Sequence, residues 1–375
     1  MSHRSLDRDR IAVFIPTLNG GGAERVAVNM LKGLIHRNIQ ADLVVGTAQG
    51  PYLNQVPSAA RLVDLQAGRV IKSILPLARY LKETHPFALL CHMSHTNVAA
   101  VAAHRLAQVQ TRLVLIEQVH ASRSVSPLWR SHLVPIFMRW LYPQADAVVG
   151  VSEGVAQDLQ TMLGLTDVKA IYSPIVDFQS LQTASNPPDH PWFQPGQPPV
   201  FLAVGRLDPQ KDFVTLIRAF AQVQAKIPAR LMILGEGSER QSLETLIQSL
   251  GLTDAIALPG FASNPFAYMS HAAAFVLSSR WEGLPTVLVE ALACGCPVIS
   301  TDCPSGPEEI LEQGRFGPLV PMGDVNALAN AMVSVLSQPL PKQLLIERAQ
   351  RFSIHRAMED YLDLIGYSAP TLKVA

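Results

Sequence analysis

The sequence predicts an α/β protein of two domains, each with a doubly wound parallel sheet. Its 375 residues are too many for one hydrophobic core. Short apolar runs of strand character alternate with helical periods in two separate series, as in βαβ units. Between the series, residues 185–199 contain six prolines, and proline extends neither a helix nor a strand ladder.

The first series predicts a strand at residues 11–16 (IAVFIP) and a helix at 23–37. Further strands of this series are expected at ADLVVG, FALLCHM, TRLVLIE and AVVGVS. The second series predicts strands at PVFLAVG, ARLMILG, AIALPG, AAFVLSS and CPVIST. Such apolar strands, separated by helices, indicate parallel sheets that are covered on both faces.

We therefore expect an N-terminal Rossmann-like domain at residues 1–184, a linker at 185–199 and a second Rossmann-like domain at 200–352. Residues 353–375 are expected to form a C-terminal helix that packs back on the N-terminal domain. Doubly wound sheets carry their working loops at the carboxyl ends of the strands. Two such domains facing each other predict a cleft that holds the site.

Composition excludes several classes of protein. Hydrophobic residues make up 48% and charged residues 16% of the chain, which excludes disorder. Thirty Lys and Arg balance thirty Asp and Glu, so we expect no nucleic-acid partner. The four cysteines form no Cys-x-x-Cys pair, and no apolar run reaches the roughly 18 residues that span a bilayer. These features favour a cytoplasmic protein, with any membrane contact peripheral and at the inner face of the cell membrane.

A run of three glycines, Gly20, Gly21 and Gly22, follows the first predicted strand and opens a helix. Bare backbone amides at a helix N-terminus suit a phosphate or diphosphate. A dinucleotide fingerprint would require a third glycine where Arg25 stands. A nicotinamide site and a glycine turn without a ligand remain as alternatives.

The segment VGRLDPQK places Gly205, Arg206 and Lys211 directly after a predicted strand. A planar guanidinium and an ammonium five positions apart can clamp a diphosphate and neutralise it as it departs. The alternative is that the two cations are exposed partners of Asp208 and Asp212.

The segment EGLPTVLVE contains two glutamates, Glu282 in a turn and Glu290 inside an apolar helix. A carboxylate among apolar side chains is costly to bury without a partner, and a sugar hydroxyl is a suitable donor to it. Gly283, Leu284 and Pro285 open the helix, where free backbone amides are available to an anion.

These segments together resemble the retaining glycosyltransferases of family 4. GGAERV, GRLDPQK, EGLPTVLVE and the final helix around Tyr361 occur in the family's order and spacing, so that the resemblance covers nearly the whole chain. It implies the GT-B architecture of two facing Rossmann-like domains. It also implies transfer of a hexose or N-acetylhexosamine from a UDP-sugar to a hydroxyl of a glycan or lipid-linked acceptor.

The resemblance also implies roles for individual residues. Arg206 and Lys211 would hold the donor diphosphate, Glu282 would contact the sugar and Glu290 the ribose. The backbone at Gly22 would close over the phosphates.

The segment EQVH resembles the family position at which a histidine meets the donor sugar near the reacting carbon, which makes His120 the expected histidine. The alternative is a histidine that satisfies neighbouring backbone groups. Glu117 is a further cleft candidate. His92 and His95 lie between a strand and the helix at Asn97, and we expect them to face the same cleft and contact the acceptor.

No metal or other cofactor is expected. The only Asp-x-Asp triplet, at residues 7–9, precedes the first strand, where it cannot act as a metal-binding motif at a strand end. The pair formed by His92 and His95 lacks a third ligand nearby in sequence.

The segment 124–145 combines aromatic residues with Arg130 and Arg139. An amphipathic helix of this composition can lie at a headgroup surface, and a core-packed helix with snorkelling arginines is the alternative. Residues 1–180 carry 17 Lys and Arg against 12 Asp and Glu, which favours an anionic, lipid-linked acceptor. A nucleotide-sugar epimerase and a non-catalytic nucleotide-sugar binding protein remain as alternative functions.

Overall fold

The computed structural model describes residues 7–19, 21–120, 133–178, 181 and 186–368. The chain divides into two compact units. Unit 1 comprises Met1–Ile175 together with Ile354–Ala375, and unit 2 comprises Val176–Ser353.

Parallel strands form one sheet in the described part of unit 1. They are β1 (Asp7–Ile15), β2 (Gln40–Val45), β3 (Arg61–Asp64), β4 (Pro86–His92), β5 (Arg112–Glu117), β6 (Ala147–Gly150) and β7 (Val168–Ala170). Their order is β3-β2-β1-β4-β5-β6-β7. The chain moves outward from β1 to β3 and then returns to β4 beside β1, so the switch point lies between β1 and β4.

Helices cover this sheet and connect its strands. They are α1 (Gly22–Ile35), α2 (Ile74–Thr84), α3 (Ser94–Ala107), α4 (Leu133–Leu141) and α5 (Glu153–Leu163). The strands are buried on both faces, as the continuous apolar run Ile11–Ile15 shows by having no exposed surface at all.

Unit 2 repeats the design with six strands among its described residues. They are β8 (Val200–Val204), β9 (Arg230–Leu234), β10 (Ile256–Gly260), β11 (Ala274–Leu277), β12 (Val298–Thr301) and β13 (Leu319–Val320). The order β10-β9-β8-β11-β12-β13 puts the switch point between β8 and β11. Phe201 on β8 packs edge to face with the helical Phe220 in the core, with 6.4 Å between ring centroids.

The helices of unit 2 follow in chain order. They are α6 (Phe213–Gln224), α7 (Arg240–Ser249), α8 (Pro265–His271), α9 (Thr286–Ala293), α10 (Pro307–Ile310), α11 (Val325–Ser337) and α12 (Lys342–Ala349). The last helix, α13 (Ile354–Leu364), belongs to unit 1.

Helix α13 packs against α1. Arg37 donates to the carbonyl of His355 at 2.9 Å. A Cβ added to Gly33 would lie 2.4 Å from Cγ of Met358 and 2.8 Å from Cγ2 of Ile354. Only glycine therefore fits at this point of contact between the two helices.

The prediction of an α/β fold with two Rossmann-like, parallel-sheet domains is confirmed. The division between the units lies at Ile175 and Val176, before the expected linker at 185–199. Within that segment Trp192 lies under the guanidinium of Arg230, whose carbon is 4.8 Å from the ring centroid. This contact ties the described part of the proline-rich stretch to unit 2.

Candidate active site

The loops that follow β8 and β11 meet at the switch point of unit 2. The two strands are parallel neighbours, so their carboxyl ends lie at one edge of the sheet. The first loop runs from Gly205 to Asp212 and the second from Ser278 to Pro285. Ligands of doubly wound sheets bind at this edge.

An ion pair joins the two loops. Nζ of Lys211 lies 2.6 Å from Oε1 of Glu282, and the two side chains are only 14% and 8% exposed. Oγ of Ser279 donates to the same carboxylate oxygen at 2.6 Å. Because a buried charge is costly without a partner, each member of the pair holds the other in place. Lys211 has three N–H donors, so it can bind a further anion while it stays paired.

Backbone contacts fix the position of this pair. Oγ of Ser278 donates to the carbonyl of Lys211 at 2.7 Å. The amide nitrogen Nε2 of Gln210 donates to the carbonyl of Trp281 at 2.8 Å. The backbone N–H of Arg280 donates to the carbonyl of Gln210 at 2.8 Å. The two loops therefore form one hydrogen-bonded unit, and the sequence reasoning missed the two serines that follow β11.

Asp212 begins helix α6. It adopts a left-handed conformation with φ of 49°, and its carboxylate accepts from the N–H of Thr215 at 3.4 Å and from its hydroxyl at 2.9 Å. Nε of Arg280 lies 3.0 Å from Oδ2 of Asp212. The alternative pairing of Lys211 with Asp212 is therefore not observed, because Arg280 pairs with Asp212.

Glycines allow the first loop to approach β9 closely. A Cβ on Gly235, whose φ is +146°, would lie 1.9 Å from the carbonyl oxygen of Gly205. A Cβ on Gly205 would lie 3.1 Å from Cε of Lys211. A side chain at either position would displace the loop that carries Lys211.

Arg206 projects from the same loop and is 71% exposed. Its Nη2 lies 3.3 Å from Oδ2 of Asp208. An ion pair this exposed contributes little to stability. The guanidinium is therefore accessible to an anionic ligand, and its pairing with Asp208 agrees with the alternative weighed for this cation.

Glu290 lies in the middle of α9 and is 1% exposed. The residues before it, Gly283, Leu284 and Pro285, lead into the first turn of that helix. Oγ of Ser305 donates to the carbonyl of Gly283 at 3.2 Å. The loop after β12 thereby supports the start of α9 at the same edge of the sheet.

The glycine run of unit 1 lies at the start of α1. Helix α1 begins at Gly22, with Gly21 as its N-cap residue and no side-chain cap. A Cβ on Gly21 would lie 2.5 Å from the carboxylate of Glu24. An acidic side chain therefore lies in the first turn, next to the backbone amides that the sequence assigned to a phosphate. Gly20 lies outside the described residues.

Glu117 is fully buried at the end of β5. It accepts from Nδ2 of Asn97 at 2.9 Å, from Oγ of Ser94 at 2.8 Å and from the hydroxyl of Tyr142. Burial raises the pKa of Glu117 above its usual value, although these hydrogen bonds oppose the rise. Glu117 and Asn97 thus form one buried polar cluster.

The three candidate histidines of unit 1 lie in different environments. His92 has no exposed surface, its Nδ1 lies 2.9 Å from Nε2 of Gln118, and burial lowers the pKa of His92 to about 3. His95 is exposed in the first turn of α3. Nδ1 of His120 lies 3.4 Å from Oδ1 of Asp158. His95 is therefore the accessible member of the pair expected to contact the acceptor.

The segment 124–145 is described from residue 133 onward, so Arg130 lies outside the described residues. In α4, Trp140 is 74% and Phe137 50% exposed, whereas Met138 is buried. Both aromatic side chains thus lie on the solvent side of the helix.

Two kinds of feature are absent from the described residues. No helix among them has the length and hydropathy needed to cross a bilayer. No three His, Cys, Asp or Glu side chains in the same part of the chain come together as ligands for a metal ion.

Two family models match the chain. The one described as Glycosyltransferase Family 4 matches residues 20–177, and the one described as Glycosyl transferases group 1 matches residues 189–352. The lipopolysaccharide core biosynthesis glycosyltransferase LpsE of Rhizobium meliloti is 31% identical over 363 residues, which is 92% of this chain and 96% of that protein.

A second relative is the N-acetylgalactosamine-N,N'-diacetylbacillosaminyl-diphospho-undecaprenol 4-alpha-N-acetylgalactosaminyltransferase of Campylobacter jejuni. It is 28% identical over 355 residues, or 87% of this chain and 90% of that protein. Among solved structures, HepE of Anabaena in complex with UDP and glucose has a TM-score of 0.72 at 19% identity, covering 95% of this chain and 99% of that chain. This likeness shows the fold, and the matches together establish that the chain belongs to the GT-B glycosyltransferases.

Proposed function

We propose that the protein is a retaining, metal-independent glycosyltransferase that moves a hexose or N-acetylhexosamine from a UDP-sugar to a hydroxyl of a glycan or lipid-linked acceptor. The observation that carries this proposal is the ion pair between Lys211 and Glu282 at the switch point of unit 2. It puts a cation for phosphate and a carboxylate for sugar hydroxyls side by side.

The donor site is proposed to comprise both loops and the start of α9. Arg206 and Lys211 bind the diphosphate, and Glu282 accepts hydrogen bonds from the sugar through Oε2, which accepts none from the described part of the chain. Glu290 binds the ribose. The backbone amides that follow Gly283 contribute to binding the anion.

The reaction is proposed to occur on one face of the sugar. The acceptor oxygen bonds to the anomeric carbon as the bond from that carbon to the UDP oxygen breaks, and the hydroxyl proton moves to a β-phosphate oxygen. Arg206 and Lys211 stabilise the charge that develops on the departing diphosphate. His120 contacts the sugar near the reacting carbon, and Gly21 and Gly22 approach the phosphates. The protein contributes mainly positioning and electrostatics.

The acceptor is proposed to bind unit 1, with His95 in contact with it and the cluster of Glu117 and Asn97 positioning the adjoining loops. The name of the Campylobacter jejuni relative includes a diphospho-undecaprenol-linked glycan. This supports a lipid-linked acceptor here. We also propose that the segment 124–145 contacts the inner face of the cell membrane through the exposed aromatic residues of α4.

Activity measurements test the function directly. Purified protein is incubated with UDP-glucose, UDP-galactose and their N-acetylated forms, with a short polyprenyl-diphosphate glycan as acceptor and with or without EDTA. We expect transfer that is unaffected by EDTA, and an α-linked product from an α-linked donor by NMR. An inverted product, or activity lost in EDTA and restored by manganese, contradicts the mechanism.

Two alternatives predict other outcomes in the same assay. An epimerase interconverts the UDP-sugars without an acceptor, and a non-catalytic binding protein binds them without turnover. The presence of Glu282 beside Lys211 favours the transferase over a binding protein, because this carboxylate can accept hydrogen bonds from the sugar of a ligand whose diphosphate binds Lys211. Stabilisation by NADH but not by UDP in a melting experiment would favour the nicotinamide alternative for the glycine run.

A further inference from the structure

A continuous cationic and apolar segment precedes and forms helix α2 in unit 1. Residues 65–82 contain four cations, Arg69, Lys72, Arg79 and Lys82, and no Asp or Glu. All four side chains are exposed, and none of them forms an ion pair within the described part of the chain. Such a segment differs from an ordinary solvated helix face, where charges of both signs alternate.

Two large apolar side chains lie among these cations. Ile71 and Leu75 are each 71% exposed. The 3-10 turn Val70–Ser73 runs directly into α2, so Ile71 and Leu75 are one helical turn apart. Lys72, Leu75, Arg79 and Lys82 follow at helical spacings of three, four and three.

The opposite face of the same helix is packed into unit 1. Its buried residues are Leu77, Ala78, Tyr80 and Leu81. The hydroxyl of Tyr80 donates to Oδ2 of the buried Asp42 at 2.7 Å. The helix is therefore anchored by one side, and its outward side carries this row of apolar and cationic residues, with Glu83 as the one exposed acid of its last turn. We name the exposed set Arg69, Ile71, Lys72, Leu75, Arg79 and Lys82 the α2 surface.

The α2 surface begins at the carboxyl edge of the unit 1 sheet. It follows β3, and the turn Val70–Ser73 packs against α3. Helix α3 carries the exposed His95 in its first turn. Because the strands are parallel, this edge also holds the start of α1. The apolar end of the α2 surface thus lies on the side of unit 1 that carries the proposed acceptor residues.

We propose that the α2 surface docks on an anionic lipid bilayer. Ile71 and Leu75 enter the boundary between headgroups and acyl chains, and the four cations lie among the lipid phosphates with their methylene stems along the apolar layer. Charge complementarity selects this partner, since each cation near an anionic surface adds to binding. Two apolar side chains within the cationic row favour a bilayer over a purely polyanionic partner such as nucleic acid.

This inference adds a surface to the membrane contact proposed for α4 and does not depend on sugar transfer. Binding is measured without donor or acceptor. Failure of the α2 surface therefore leaves the test of glycosyl transfer unaffected.

The experiment is co-sedimentation of the full chain with vesicles of phosphatidylglycerol and phosphatidylcholine. The variant Ile71→Ser/Leu75→Ser removes the apolar pair and keeps the charge. We expect its partition coefficient to be at least tenfold lower than that of the wild type. Leu250→Ser in unit 2 is the matched control, because Leu250 is an exposed leucine outside this surface, and it should bind as the wild type does.

The charge contribution is tested separately with Lys72→Glu/Arg79→Glu. We expect this variant to lose most binding and its salt dependence, while both double variants keep the wild-type melting temperature within a few degrees. Binding unchanged in both double variants, equal binding to neutral vesicles, or loss confined to Trp140→Ser would overturn the proposal. Stronger binding to DNA than to vesicles would do so as well.

Discussion

The carboxylate of Glu282 has one role in the structure and a further one in the proposed reaction. In the structure it neutralises Lys211 through Oε1 and accepts from Ser279. In the proposed reaction it also receives a sugar hydroxyl. Replacing it is therefore expected to change the proposed sugar contact and at the same time to free the ammonium group of Lys211 for phosphate.

The two glutamates should respond differently to neutralisation. Glu290→Gln should weaken UDP and UDP-sugar alike, by about 1.5–3 kcal/mol if one charge-assisted hydrogen bond is degraded. Glu282→Gln should leave UDP affinity unchanged or slightly tighter, because Lys211 loses a competing carboxylate, while affinity for the intact donor or kcat falls. Calorimetry with both ligands measures this. Equal weakening of bare UDP by the two variants would refute the assignment of ribose and sugar to separate carboxylates.

His92 should make stability depend on pH. Burial lowers the pKa of His92 from 6.5 to about 3, so the unfolded chain takes up a proton in a range where the folded protein does not. The stability contributed by neutral His92 is present above pH 6.5 and is lost as the pH falls towards 3, by about 1.4 kcal/mol per pH unit. Melting curves of His92→Gln should therefore show a smaller loss of stability than those of the wild type between pH 6.5 and pH 4.5.

A His92→Gln variant that loses stability in parallel with the wild type over this range would show that burial of His92 does not control it.

At the scale of elements, the capping residue of α6 links helix stability to the site. Asp212 caps the helix from a left-handed conformation, which Asp and Asn tolerate better than other non-glycine residues. It also immediately follows Lys211. A change at the cap should therefore reach both stability and ligand binding.

Asp212→Ala should destabilise unit 2 by about 1–3 kcal/mol, from the lost cap and the strained backbone. Asp212→Asn should lose much less stability than Asp212→Ala. Asp324→Ala is the matched control, since Asp324 caps α11 by accepting from the N–H of Ala327 at 2.9 Å. Thermal melting should show a loss for both alanine variants, and calorimetry should show weaker UDP binding only for Asp212→Ala. Equal UDP affinity in the two alanine variants would show that the cap of α6 does not affect ligand binding.

Elements were predicted more fully than the contacts between them. The apolar runs predicted the strands because burial on both faces leaves a pattern within each short segment. The pair of Lys211 and Glu282 left no such pattern, since the two residues are far apart in sequence and meet only because β8 and β11 are neighbours. The partners of Glu117 were missed for the same reason, as Tyr142 reaches it from a separate element.

At the scale of the molecule, the seam between α1 and α13 completes unit 1. Gly33→Ala should destabilise the protein by about 1–3 kcal/mol, because the new methyl group would overlap Met358. Met358→Ala provides space for the new methyl group. The double variant should therefore lose less stability than the sum of the losses in the two single variants. Melting temperatures of all four proteins measure this coupling. Strictly additive losses would show that the helices do not meet as tightly as described.

Because unit 1 is made of two separate stretches of the chain, the two units are completed at different times during synthesis. Unit 2 is one continuous stretch whose ends meet, with the N–H of Val176 donating to the carbonyl of Phe352 at 3.1 Å. Unit 1 is complete only when the ribosome has also released Ile354–Leu364. A nascent chain can therefore finish unit 2 while α1 still lacks its partner helix. A delay in the release of Ile354–Leu364 would prolong this exposed state, and a chaperone would meet unit 1 rather than unit 2.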